Sequence, residues 1–219
     1  MKIGIVGAGN IGSALARRWT QLGHQVFIAN SRGPESLREL AAEIGAVPGT
    51  VEEVIRGGQV VVVTIPMKNI PQLPLSAFHQ LPLTTVVIDT CNYYPRQRDG
   101  RIAAIEEGLV ESRWVEQQLG HPVIKVFNNI MASHLLHNGR PAGTPGRIAL
   151  PVSGDNAVAK ATVMRLVEDL GFDPVDAGTL DESWKQQPGS PAYVADLDAT
   201  HLIQALAQAR PERTAELRA

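Results

Sequence analysis

Residues 2–22 read KIGIVGAGNIGSALARRWTQL, and this stretch decides the fold. Lys2 to Val6 is a short apolar run with the character of a buried strand. Ile11, Leu15, Trp19 and Leu22 then recur at helical spacing. Between strand and helix lies Gly7-Ala8-Gly9-Asn10-Ile11-Gly12, a G-x-G-x-x-G turn. Glycine is common, so the pattern gains its force from position: it follows a strand and opens a helix. Gly7 permits the tight turn, Gly9 lets a diphosphate approach the backbone, and Gly12 lets helix and strand pack closely. The free N–H groups of the helix start and its dipole favour an anion there. Gly23 supplies the stop.

Moving outward, strands and helices alternate. Val26 to Ala29 reads as a second strand, and Glu35 to Ile44 as a helix with Pro34 at its start. Thr50 and Glu53 form a capping-box pattern before a short helix, Val51 to Arg56. Gln59 to Ile65 (QVVVVTI) is apolar on both faces, as a central parallel strand is. Thr84 to Asp89 and Pro122 to Phe127 are further strands. The stretch between them is poorly patterned, with one helix around Arg113 to Leu119. Ile130 to His137 is helical, and a strand at Ile148 to Val152, a helix at Asn156 to Leu170 and a strand near Pro174 to Asp176 follow. A last helix spans Thr200 to Ala209. The alternation predicts an α/β, Rossmann-type, doubly wound and mostly parallel sheet with right-handed crossovers. Residues 1–180 are expected to form the dinucleotide-binding domain. Residues 181–219 are expected to form a short C-terminal extension that completes the pocket or a dimer interface.

Bulk properties narrow the classes. The 219 residues carry a formal charge of −2, which disfavours nucleic acid or an anionic membrane as partner. The single cysteine, Cys91, forms no intrachain disulfide and suits a reducing, cytoplasmic compartment. No apolar run is long enough to span a membrane. Ala14-Leu15-Ala16 imitates a leader cleavage site, but the four glycines before it and Arg17-Arg18 after it argue against one.

The end of the second strand selects the cofactor. NAD-binding members of the fold place an acid there for the ribose hydroxyls. Here Asn30-Ser31-Arg32 stands instead. Asn30 and Ser31 can donate to a 2′-phosphate, and Arg32 can pair with it or stack on the adenine. The sequence therefore favours NADP(H) over NAD(H). The competing reading, a plain turn into a helix, explains Gly33 and Pro34 but not the missing acid.

The ends of the later strands are less specific. Thr64-Ile65-Pro66 borders the crevice and can pack on the cofactor. Asp89 suits a helix-capping or turn role at least as well as a catalytic one, and Cys91 has no histidine near it in sequence. Asn128 carries both donor and acceptor, as a nicotinamide carboxamide requires. His134 and His137 share a helix face without further ligands at metal-binding spacing, so no metal site is expected.

Taken together, five stretches resemble a known family. They are Gly7 to Gly12, Asn30-Ser31-Arg32, Val63 to Pro66, Ile124 to Asn128, and Val152 to Asp155. The chain is similar to the NADP oxidoreductases that depend on the deazaflavin coenzyme F-420, and to the related reductase domains of STEAP metalloreductases. The resemblance implies that Ser31 and Arg32 grip the 2′-phosphate, that Thr64, Ile65 and Pro66 line the cofactor, and that Asn128 sits where the two redox rings meet. It implies hydride exchange between the nicotinamide and a deazaflavin co-substrate. Two features depart from the family pattern: archaeal members carry a histidine at the position of Asn128, and their C-terminal end is apolar where Asp181 to Ala219 is polar and proline-rich. Both touch the second substrate.

The expected function is therefore an NADP(H)-dependent oxidoreductase with a small-molecule redox partner, a deazaflavin or a flavin-like cofactor. Alternatives are a reductase of small carbonyl or imine compounds and a non-catalytic NADP(H) sensor. Carbonyl reduction wants a proton donor, for which Tyr93, Asp89 and Ser133 are candidates; no catalytic residue is assigned. Symmetric homodimers are the default expectation for assembly.

Overall fold

The apolar runs become the strands of one sheet. The computed structural model describes residues 1–219. In chain order its first elements are β1 (Lys2–Val6), α1 (Asn10–Gln21), β2 (Gln25–Ala29), α2 (Arg38–Ile44), β3 (Val47–Pro48), α3 (Val51–Gly57) and β4 (Val60–Val63). They are followed by α4 (Leu75–His79), β5 (Val86–Asp89), α5 (Ala103–Glu106), α6 (Glu111–Leu119) and β6 (Val123–Lys125). These six strands form a wholly parallel sheet in the order β3-β2-β1-β4-β5-β6. The order reverses between β1 and β4, which opens a crevice at their carboxyl ends.

Helices cover both faces, so strand residues divide alternately between two cores. Ile3, Ile5, Val60, Val62 and Ile88 pack with Leu15 and Trp19 of α1 and Ala41 of α2. Val61, Val63 and Val87 point the other way, onto Val54 of α3, Phe78 of α4 and Val115 of α6. All four valines of β4 are fully buried. Each such side chain contributes about 1.5–3 kcal/mol of hydrophobic stabilisation. That two-sided burial is why β4 is a continuous apolar run rather than an alternating one.

The remaining elements are α7 (Ala132–His137), β7 (Ala149–Val152), α8 (Ala157–Asp169), β8 (Asp173–Asp176) and α9 (Ala199–Gln208). The last two strands leave the main sheet and form a separate parallel pair. Proline explains the separation. Ala149 and Ser153 donate their N–H groups away from β8, to Leu197 and Lys125. Pro151 lies between them and has no N–H to give on that side. β7 therefore meets β6 only through the antiparallel Lys125–Ser153 bridge. A small core of Ala149, Val175, Ala192, Leu202 and Leu206 joins this pair to α9.

Most predicted elements appear with ends shifted by one to three residues. The expected helix from Glu35 splits into a 3-10 turn, Pro34–Leu37, and α2. The Thr50–Glu53 capping box is formed in both directions. The poorly patterned stretch after β5 folds into Pro95–Asp99, α5 and α6. No helix is long and apolar enough to cross a membrane.

Candidate active site

The crevice begins where β1 ends. Gly7 donates its N–H to Ala29 at 2.9 Å, and Thr64 donates to Val6 at 2.9 Å, so the turn is clamped by both neighbouring strands. Gly7 holds φ +116°, and a Cβ there would lie 2.2 Å from the Thr64 carbonyl oxygen. A Cβ on Gly12 would lie 1.9 Å from the Gly7 carbonyl oxygen. Gly9 differs, because its Cβ position meets nothing within 4 Å. It faces open space at the start of α1. No acidic residue occupies the first turn of α1 and no side chain caps it. An anion can therefore approach the turn without competition.

That open space belongs to a cavity of about 610 Å³. Gly7, Ala8 and Gly9 line it on the turn side, Asn30, Ser31 and Arg32 at one end, and Thr64, Ile65 and Pro66 across from them. Arg32 is the one charged residue in its lining. The Asn30 carboxamide is occupied by the turn itself. Its Oδ1 accepts from the Arg32 N–H at 2.9 Å and its Nδ2 donates to Ser36 at 2.9 Å. Ser31 and Arg32 are exposed and their side chains have no partner. The shape and donor set fit an NADP(H) molecule: an open glycine cradle for the diphosphate, a free cation and hydroxyl for the 2′-phosphate, and an apolar wall at Ile65 and Pro66.

Of the other expected contacts, Ile11 and Gly12 sit behind the turn and do not line the cavity. Asn10 lines a neighbouring groove between α1 and α7, together with Met131, Ser133 and His137. Asn128 lies beyond the cavity, at the end of β6, and is buried. Its Nδ2 donates to Asn92 Oδ1 at 3.0 Å and to the Gln186 carbonyl at 2.7 Å. Its Oδ1 accepts from Gln186 Nε2 at 3.0 Å. The Asn128 carboxamide is thus spent on holding Asn92 and the C-terminal segment. Phe127 before it adopts φ 62°, a left-handed backbone conformation that is uncommon for a bulky residue. Its buried ring meets Trp19 edge to face at 5.9 Å between centroids.

The candidate acids and bases separate clearly. Asp89 is fully buried and paired with Lys125 at 3.0 Å, and it also accepts from Ser112 and the Cys91 N–H. The Tyr93 hydroxyl faces away from the crevice, between Glu106 and the Ile102 N–H. Ser133 lies in the α1–α7 groove. Burial pushes the Cys91 thiol well above its ordinary range, against a nucleophilic role. His134 pairs with Asp196, and no cluster suited to a metal ion is present.

Four residues at this edge escaped sequence reasoning. Asn92 and Tyr94 follow β5, while Gln186 and Tyr193 come from the segment before α9. Their hydrogen bonds span up to 101 residues of chain, which no local pattern records. Lys125 had a visible signal: a lysine inside the apolar run PVIKVF requires a buried carboxylate.

Comparison with known proteins bears on this arrangement. Residues 2–93 match the family described as NADP oxidoreductase, coenzyme F420-dependent. That match covers the glycine turn, the Asn30–Arg32 segment and the Thr64–Pro66 wall. The chain belongs to this family. A Sinorhizobium meliloti protein of no assigned function, SMa0349, shares 31% identity across 90% of this chain and 95% of its own, with a TM-score of 0.74. An Arthrobacter sp. FB24 structure, to which an F420-dependent NADP reductase activity is ascribed, covers 82% of this chain and 86% of its own at 24% identity and a TM-score of 0.65. The Escherichia coli (strain K12) protein YjhV is 45% identical over 74 residues, which make up 34% of this chain and 54% of YjhV. The chain thus spans about half the length of that curated relative. The matched family is described as one of NADP oxidoreductases.

Proposed function

We propose that the chain transfers a hydride between NADP(H) and a small organic partner seated over the carboxyl ends of β5 and β6. The observation that carries this reading is the cavity at the β1–β4 crevice, with an open cradle at Gly9 and Arg32 as its lone charge. Ser31 and Arg32 bind the 2′-phosphate, the turn from Gly7 to Gly12 binds the diphosphate, and Thr64, Ile65 and Pro66 exclude water from the cofactor's far half. With the adenosine end at β2, the other half of the cofactor runs past β4 toward β5. When bound, NADPH supplies the hydride. The chain's task is then to orient the partner and keep the pocket dry.

The family points to deazaflavin F-420 as the partner. The Tyr94 and Tyr193 hydroxyls beside Asn92 favour a second reading, a small carbonyl or imine compound, because such an acceptor needs a proton as well as a hydride. We place the enzyme in the cytoplasm as a homodimer, without nucleic-acid or membrane partners. Spectral titration with NADPH and NADH, followed by stopped-flow oxidation of bound NADPH by deazaflavin, flavin, carbonyl and imine acceptors, tests the proposal. Tighter binding of NADPH and oxidation by one acceptor class are expected. Binding without oxidation by any of them would refute it in favour of a sensor.

A further inference from the structure

The acceptor side of the crevice carries a pair of phenols. Tyr94 follows β5, and Tyr193 comes from the segment between Gln186 and α9; their hydroxyls are hydrogen-bonded to each other. Asn92 Nδ2 also approaches the Tyr193 oxygen, at 3.4 Å. Asn92 is itself fixed, since it donates to the Asn128 carbonyl at 2.9 Å and accepts from the Asn128 amide at 3.0 Å. The Tyr193 oxygen thus has two donors at hand, Tyr94 and Asn92. Both tyrosines are half-buried. The Arg98 guanidinium lies 5.2 Å from the Tyr94 ring centroid and donates to the Asn92 carbonyl. Its side chain is 36% exposed and reaches water.

Topology puts this pair at the carboxyl ends of β5 and β6, the side toward which the proposed cofactor would run. Adenosine takes the β2 end, the diphosphate takes β1, and the strands next in line are β4, β5 and β6. Asn92 and Tyr94 rise from the end of β5, and Asn128 from the end of β6. The segment after β4 that bears the lining residues Asn69 and Gln72 touches the same loop, where the Lys68 N–H reaches Asp99 at 3.4 Å and the Tyr94 N–H reaches Asp99 at 2.9 Å. The chain also spends free energy to hold Tyr193 there. Val194 and Asp196 adopt φ 53° and 48°. Val194 is held by its N–H to Asn129, and Asp196 by His134.

We infer that Tyr193 is the proton donor for reduction of a carbonyl or imine acceptor, with Tyr94 and Asn92 as positioning residues. This assignment rests on the hydride-transfer reading. The hydride from NADPH forms the new C–H bond on the acceptor carbon as the π pair of the C=O or C=N bond moves onto its heteroatom. That heteroatom takes the Tyr193 proton; the acceptor is reduced to an alcohol or amine, and NADPH leaves as NADP⁺. Hydrogen bonds from Tyr94 and Asn92 hold the tyrosinate, which regains its proton from solvent by way of the Tyr94 hydroxyl. Burial and the bond to Tyr94 push the Tyr193 phenol well above its usual range, Glu111 adds to the shift and Arg98 opposes it. Tyr193 therefore remains a donor at neutral pH.

Tyr193→Phe, Tyr94→Phe and the wild type would be compared with carbonyl, imine and deazaflavin acceptors. Y193F is expected to lose about 100-fold or more in carbonyl or imine turnover, the scale of general acid catalysis. NADPH affinity and melting temperature should hold, and the solvent isotope effect of the wild type should vanish. Y94F should retain turnover at a reduced rate. A readout independent of turnover uses protein isotope-labelled at tyrosine Cζ: an unreactive carbonyl analogue should shift the resonance that Y193F lacks. Carbonyl turnover that survives in Y193F overturns the assignment and leaves hydride transfer standing. So does wild-type turnover confined to the deazaflavin. Failure of every acceptor to oxidise bound NADPH overturns the parent reading.

Discussion

Replacing Arg32 with alanine tests the cofactor half of the site most directly. Arg32 is exposed, has no carboxylate partner, and is the one charge lining the cavity. Its interaction with a 2′-phosphate is therefore not offset by the loss of any bond within the protein. A hydrogen bond to a charged group contributes about 1.5–3 kcal/mol, and exposure to solvent puts this one toward the lower end. A loss of about 1.5–2 kcal/mol corresponds to roughly 10- to 30-fold weaker NADPH binding. NADH has no phosphate at that position, so its affinity should not change and the preference for NADPH should shrink by the same factor. Added salt should weaken wild-type NADPH binding and have less effect on the variant. Fluorescence titration of both nucleotides at two ionic strengths measures all of this. Equal weakening of NADPH and NADH would refute the reasoning, because it would mean that Arg32 serves the adenine or the turn rather than the phosphate.

Three further outcomes follow from packing and burial. Gly12→Ala sets a methyl group 1.9 Å from the Gly7 carbonyl oxygen, and it should cost about 1–3 kcal/mol and abolish nucleotide binding; a wild-type melting curve and titration would contradict this. Lys125→Met leaves the Asp89 carboxylate buried without its cation, at a cost of about 3–5 kcal/mol in urea unfolding, and the added change Asp89→Asn should recover part of the loss. Cys91, buried and with its thiol raised by desolvation, should be alkylated only as the protein unfolds; rapid labelling of the native protein would show the β5 end to be open.

The residues that line the cavity were legible in the sequence because they are local. The turn from Gly7 to Gly12, the capped helix at Thr50 and the four valines of β4 each declare themselves within a few residues. The departure of β7 and β8 from the main sheet was written less openly, in Pro151 alone. Its effect depends on which way its neighbours' N–H groups point, and a one-dimensional pattern does not contain that. The acceptor half could not be read. Asn128 looked like a ligand for a carboxamide because asparagine can donate and accept, yet the fold supplies Asn92 and Gln186 to meet those same atoms. Tyr94 and Tyr193 converge only because the segment before α9 returns across the carboxyl ends of β5 and β6.

The cavity lining runs from Val6 to Pro74 and draws on no later residue. A chain growing on the ribosome therefore makes every residue of that lining before it reaches α4. Tyr193, the last member of the acceptor cluster, emerges long after that lining is complete. Under the proposed hydride transfer, translation delivers the means to hold reducing power well before the means to discharge it.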